Sequence, residues 1–452
     1  MSRPRPRQRE PWGKRPNGPA KRYVHLFLYA ILTIAVIGRV SVWLGGSETG
    51  NDAYYKSSAD AYALRGRTLS VVEHVVQSTH PAGIGAAHTT HVHLPTGGYL
   101  VAWVAPRSKS EASRPAVWAS RRDAIEELGD DSSHSETSKW SDPFVLARAP
   151  GTPGSHRSPA LFFVNNMLRL HFSVRGGVGE VTAFETSSGD YGKTWSEVAE
   201  IKDRLTARTS TVPASCAVGG TLPRKHSIDG DDTHGELSCL GEVTVDSEMR
   251  NIIPVLVMRE VKKEDPSEKF SVSGFAKAPV GLTTTSASLF RNPFVSKSGK
   301  HSASVVFVTG DGCLYRSDSV DGGVSWSKAE RLDFDNLNLR AVPRGGVSTA
   351  AVGRKSVVMT SVFFDTKTKS TLVRVRISDN GGKSWPWLND VPLPGGCFDD
   401  DDGDAINDSE CGVPIVEPWP NQAEGFTVTF GLGSSGGIGF VASSITGFKA
   451  TC

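Results

Sequence analysis

An eight-residue phrase recurs along this chain, and long-period recurrence limits the fold more tightly than any bulk property does. The first full copy is Ser188-Gly189-Asp190-Tyr191-Gly192-Lys193-Thr194-Trp195. Ser319-Val320-Asp321-Gly322-Gly323-Val324-Ser325-Trp326 repeats it with Ser for Thr, and Ser378-Asp379-Asn380-Gly381-Gly382-Lys383-Ser384-Trp385 repeats it with Asn in the Asp slot. A fourth, broken copy reads Ser120-Arg121-Arg122-Asp123, a polar insertion, then Ser138-Lys139-Trp140-Ser141. The Asp/Asn-x-Gly element is a turn: the side chain bonds nearby amides, and Gly reaches backbone angles that other residues avoid.

Each turn lies between strand-like runs. Ser302–Val308 and a turn at Gly310-Asp311-Gly312 precede the second copy, and Thr371–Ile377 leads into the third with clean alternation of apolar and polar residues. That period of two marks half-buried strands. The four tryptophans are spaced by 55, 131 and 59 residues. The long gap fits two units, the missing one near residues 240–260, and residues 390–452 are long enough for a sixth. Repeats of roughly 50 residues built from short strands predict a β-propeller with about four strands per blade.

The phrase Ser-x-Asp-x-Gly-x-[Thr/Ser]-Trp resembles the Asp-box, or BNR repeat, of the sialidase superfamily. His88-Thr89-Thr90-His91-Val92-His93-Leu94-Pro95, Gly97–Trp103 and Ala116–Arg121 resemble the first blade of sialidase-like BNR proteins, and Arg157-Ser158-Pro159-Ala160-Leu161-Phe162 resembles the start of the second. The resemblance covers about residues 66–452. It implies an all-β, six-bladed propeller with a carbohydrate site at its centre.

The remainder of the chain reads differently. Residues 1–22 carry eight Lys or Arg against Glu10 alone, and Leu26–Gly38 then runs without a charge inside the segment Tyr23–Leu44. This predicts a basic cytoplasmic tail (1–22), a transmembrane signal-anchor helix (23–44), a polar stem (45–65) and the propeller (66–452), with the propeller on the lumenal or extracellular side as a single-pass type II protein. A cleaved signal peptide is the competing reading. The net charge of +2 gives no general argument for nucleic acid as a partner. All six cysteines lie beyond residue 200, which in an exported domain suggests disulfides. Proximity suggests Cys216 with Cys239 and Cys397 with Cys411, leaving Cys313 with Cys452. Asn407-Asp408-Ser409 is the one glycosylation sequon.

Classical sialidases clamp a sugar carboxylate with three arginines, attack with a Tyr activated by a Glu, and use an Asp as acid/base; this is what the resemblance implies. The chain departs from that pattern. His88-Thr89-Thr90-His91 stands where the first clamp arginine is expected, and no Tyr follows Tyr315. His88 matches a His of the BNR proteins that lack the clamp arginine, and imidazole suits acid/base work near neutral pH. His88 and Glu111 are therefore the catalytic candidates. Arg107, beside Glu111 after the Trp103 strand, and Arg157, Arg291, Arg340 and Arg344, at apparent blade starts, are the candidates for binding an anionic sugar.

No metal or cofactor is expected. His88-x-x-His91-x-His93 fails as a zinc set because a strand puts His88 opposite the other two. The acidic loop Asp399–Asp404 lacks the alternating acids of a calcium loop. Three functions follow as expectations: a membrane-anchored sialidase-like glycosidase acting on terminal acidic sugars of glycoconjugates, a non-catalytic carbohydrate-binding propeller, and a propeller-type polysaccharide lyase.

Overall fold

The computed structural model describes residues 72–445 other than 78, 84–85, 96, 107–114, 124–138, 151–154, 165–166, 176–180, 202–212, 223–235, 242–243, 246–250, 260–268, 292–302, 322, 333–338, 342–345, 354, 394–411, 420–423 and 433–435. The expected basic tail, membrane segment and stem lie outside the described residues, as do Cys397, Cys411, Cys452 and the sequon at Asn407. Among the described residues, no helix is long and apolar enough to cross a membrane.

The all-β propeller expected from the repeat is what the strands form. The first strand, β1 (Glu73–Gln77), takes no part in the sheet that follows it. β2 (Ala87–His93), β3 (Tyr99–Pro106), β4 (Pro115–Arg122) and β5 (Phe144–Ala147) make one sheet in sequential order. β6 (Ser155–Val164), β7 (Met167–Arg175), β8 (Val181–Ser188) and β9 (Ala199–Glu200) make the next. The third contains β10 (Pro213–Leu222), β11 (Glu236–Gly241), β12 (Thr244–Val245), β13 (Asn251–Arg259) and β14 (Lys269–Lys277), with β12 continuing β11 along the same side of β13. β15 (Thr284–Arg291), β16 (Ala303–Thr309), β17 (Leu314–Ser319) and β18 (Glu330–Arg331) make the fourth. In the fifth, β19 (Leu339–Ala341) and β20 (Val347–Val352) both pair with β21 (Ser356–Asp365), followed by β22 (Ser370–Ser378) and β23 (Trp387–Pro392). The sixth is β24 (Ile415–Pro418), β25 (Gly425–Gly431) and β26 (Gly437–Ser444), to which β1 returns as the outermost strand. Every pairing is antiparallel, and the innermost strands β2, β6, β10, β15, β20 and β24 contact one another in a closed ring.

Inner strands are sheet edges, so their free amides need partners. Ser and Thr hydroxyls from the neighbouring sheet supply them. Thr90 Oγ1 accepts from the Leu161 amide at 3.1 Å, Ser286 Oγ from Val347 at 3.2 Å, Ser288 Oγ from Thr349 at 2.9 Å, and Ser348 Oγ from Val416 at 3.2 Å. Stepping two residues along β15, from Ser286 to Ser288, also steps two along β20, so neighbouring inner strands run parallel. Apolar side chains fill the space between sheets. Leu100, Leu168, Leu170, Phe172 and Phe184 pack between the first and second, and Val358, Val375, Phe426, Val428 and Phe430 between the fifth and sixth.

The boxes sit where the third strand turns toward the fourth. In the first, Asp190 accepts from the Lys193 amide (3.1 Å), the Thr194 amide (2.8 Å) and the Thr194 hydroxyl (2.6 Å), while Ser188 Oγ accepts from the Gly192 amide (2.7 Å). The bonds from Thr194 dominate in holding the Asp190 carboxyl well below the usual carboxylate range. Gly192 has φ +88°, and a Cβ there would press on Leu100 and Leu168 of the core. Trp195 Nε1 donates back to Gly192 O at 3.2 Å. The Asp321 box repeats these contacts; the Asn380 box repeats the bonds from the amides, but Asn380 Nδ2 donates to Ser384 Oγ and Trp385 Nε1 makes no bond back.

The broken copy is corrected in register. Ser187 N bonds Ser196 Oγ, Asp318 N bonds Ser327 Oγ, and Arg121 N bonds Ser141 Oγ, each at 3.0 Å. Arg121 is therefore equivalent to Ser187 and Asp318, and Arg122, not Ser120, occupies the box-serine position. Its guanidinium lies about 5 Å from the Tyr99, Trp140 and Phe440 rings and pairs with Glu73 on β1. Stacked cation and rings hold the position that serine occupies in the other boxes.

Candidate functional site

Because the inner strands run parallel, their first residues share one end of the ring. His88 lies there, near the start of β2, half-buried, with φ +50°. The ladder to β3 slips between Ala87 and Thr90, so His88 and Thr89 form a bulge. The slip between Arg157 and Ala160 in β6 is its counterpart, with Pro159 needing no ladder bond for an amide it lacks. Thr89 Oγ1 anchors the bulge by donating to Thr429 O at 3.2 Å. A non-glycine residue in the left-handed region costs roughly 1–2 kcal/mol and marks a place where surrounding structure dictates the backbone.

The arginine candidates divide. Arg157 falls in the first half of β6, opposite Ser173, and Arg340 is the middle residue of β19, opposite Phe364 on β21. Both lie at the His88 end. The expectation that Arg291 opens a blade is corrected: it is the last residue of β15, opposite Ala303, and so belongs with His93 at the other end. About five residues of strand, roughly 16 Å, separate that level from His88. Arg107, Glu111 and Arg344 lie outside the described residues.

The three propeller tyrosines are structural. Tyr99 packs edge-on to Phe440, Tyr191 stands in the first box turn with φ +59°, and Tyr315 stacks on Phe307.

His91 takes a different place from His88. It is fully buried between the first and sixth sheets, with Nδ1 2.9 Å from Thr429 Oγ1 and Nε2 2.6 Å from Thr427 Oγ1. Glu417 Oε2 lies 3.6 Å from Nε2 and has no hydrogen-bond partner. Ion-pair distance does not make an ion pair here. Burial, with the His93 charge acting in the same direction, pushes the His91 pKa down to about 3. Burial raises that of Glu417 well above the usual carboxylate range, against a hydrogen bond from the His93 amide. His91 is therefore neutral at physiological pH, and burial favours the neutral form of Glu417 as well. Glu417 did not stand out in the sequence, although a lone acid in Val413-Pro414-Ile415-Val416-Glu417-Pro418 is the mark of such a group. The repeated Trp-Ser dipeptide was equally visible as the strand clamp. Among the described residues, no group of three or more His, Cys, Asp or Glu is placed to hold a metal ion.

A ring of antiparallel sheets carrying Asp-boxes, with hydroxyl-stitched inner strands around its centre, defines a sialidase-like propeller fold. The BNR repeat-like domain matches residues 98–392, more than half of the sequence, and the chain belongs to that family. Solved structures agree in fold. A Hadza microbial sialidase is 14% identical, with a TM-score of 0.56 over 83% of this chain and 69% of its own. A point mutant of the NanB sialidase from Streptococcus pneumoniae is 11% identical, with a TM-score of 0.54 over 83% and 71%. A protein of unknown function from Dyadobacter fermentans is 12% identical, with a TM-score of 0.53 over 79% and 94%. No curated protein matches the sequence.

Proposed function

We propose that this chain is a six-bladed propeller that takes terminal acidic sugars of glycoconjugates at the His88 end of the ring and cleaves them with His88 as the acid/base. The observation that carries this reading is the backbone of His88, a left-handed residue in a bulge that opens the first inner strand. Arg157 and Arg340 lie in strand segments at that end and are proposed to supply positive charge for a sugar carboxylate. Arg107 and Arg344 are further proposed to bind the acidic sugar, and Glu111 to act in catalysis with His88; all three lie outside the described residues. Arg291 is left out because it ends its strand. Residues 23–44 are the proposed anchor, supported by the uncharged run behind a basic tail, with the propeller on the lumenal or extracellular face.

One observation favours a second reading, a propeller that binds glycans without turning them over. Every tyrosine beyond residue 62 has a packing role, so the usual Tyr nucleophile has no candidate in the propeller. A glycan array followed by product analysis separates the readings. Hydrolysis of an acidic terminal sugar that is lost in His88→Gly supports the first, an unsaturated product indicates a lyase, and retention without product supports the second.

A further inference from the structure

We propose that Cys216 and Cys239 are joined by a disulfide across β10 and β11. The register places their Cα atoms directly opposite each other in an antiparallel pair. Opposed residues in such pairs have Cα atoms about 4.5 or 5.5 Å apart. Both separations fall within the roughly 4.4–6.8 Å that a disulfide spans. The backbones of two cysteines 23 positions apart in sequence thus stand within disulfide span.

The position gives the bond a purpose. From Cys216 to Thr221 β10 advances five residues while β11 advances two, from Cys239 to Leu237. The three extra residues interrupt the ladder at Ala217-Val218-Gly219-Gly220, a segment with two glycines and little of its own to hold it. β10 is also an innermost strand, touching β6 on one side and β15 on the other. A covalent link at Cys216 fixes this strand just where its hydrogen bonding fails. In forming the bond each thiol gives up one proton and one electron. The S–S bond is made as the disulfide of an oxidoreductase or of glutathione is reduced to two thiols.

The test is peptide mapping of the purified full-length protein, alkylated before any reduction. The expected product is a Cys216 peptide joined to a Cys239 peptide, two hydrogen atoms lighter than the separate pair. Reduction should lower the melting temperature of the wild type by more than that of Cys216→Ser/Cys239→Ser, which keeps the other four cysteines. A second arm equilibrates reduced protein with oxidised glutathione. It also separates this inference from the proposed topology, which places the domain in an oxidising compartment. A link found only in that arm upholds the bond and overturns the topology. Both cysteines alkylated in both arms, or either one linked to a different cysteine, overturns the proposal.

Discussion

Acidification should destabilise this propeller through His91. The unfolded chain takes up a proton on His91 below its ordinary pKa of 6.5, and the folded chain refuses it until about pH 3. The folded pKa is the lower one, so this stability is fully present above pH 6.5 and drains away as pH falls. Over that interval of 3.5 units, at about 1.36 kcal/mol per unit, the contribution is roughly 5 kcal/mol. Glu417 acts in the opposite direction. Its folded pKa is raised above 4.5, so its stabilisation is present below that pH and is lost as pH rises. The two oppose each other above pH 4.5, and His91 acts alone below, where about 2 kcal/mol should vanish by pH 3. Equilibrium urea unfolding, followed by tryptophan fluorescence from pH 3 to 7, measures this as a difference between variants, so that the many other carboxylates cancel. His91→Gln keeps a donor and an acceptor for Thr427 and Thr429 but does not titrate, and it should lose the acid limb relative to wild type. Glu417→Gln removes the counterweight and should show the whole decline. If His91→Gln tracks wild type below pH 4.5, the buried neutral imidazole is the wrong physical picture.

Three further perturbations test other parts of the fold. Asn380→Ala removes the acceptor for the Lys383 and Ser384 amides and should cost about 1–3 kcal/mol in urea unfolding, whereas Asn380→Asp, the residue of the other boxes, should stay near neutral. Asp390→Ala leaves the buried Arg374 guanidinium without its two-pronged partner at 2.7 and 2.6 Å and should cost about 3 kcal/mol, the low end for a broken buried pair because Asp390 is partly exposed; Arg374→Met in the same chain should recover much of it in the same assay. His88→Gly relieves a left-handed side chain and should hold or raise the melting temperature by an equivalent of about 1 kcal/mol while abolishing turnover; retained turnover in that variant removes His88 from the chemistry.

The sequence exposed what depends on local rules and concealed what depends on register. The boxes were legible because their hydrogen bonds close within five residues: Ser188, Asp190, Gly192 and Thr194 carry their own geometry wherever the strand leads. The broken copy could be found by its Trp-Ser end, but its serine falls two residues early, because only the bond from the Arg121 amide to Ser141 shows that Arg122 fills that slot. Arg291 looked like a strand opener for the same reason. A Pro two residues later marks a break in the chain, and nothing local says which end of the strand the break follows. His91 was visible as one of three histidines, but its neutrality is set by Thr427, Thr429 and Glu417, more than 320 positions downstream.

The ring is closed by residues from its two extremes, and this sets a schedule for biosynthesis. Glu73 on β1 pairs with Phe440 on β26, and Arg122 near the beginning stacks on that same Phe440. At about 5–20 residues per second, a ribosome needs roughly 20–70 s to travel from the first member of that pair to the second. Throughout this wait β1 has an exposed edge and the Phe440 position is vacant, so the early sheets can condense but the circle cannot shut. A nascent chain of this design carries an open strand until synthesis is nearly finished. Premature termination before residue 437 would delete the partner strand of β1 outright, so even a late stop codon should leave a chain that quality control recognises as incomplete.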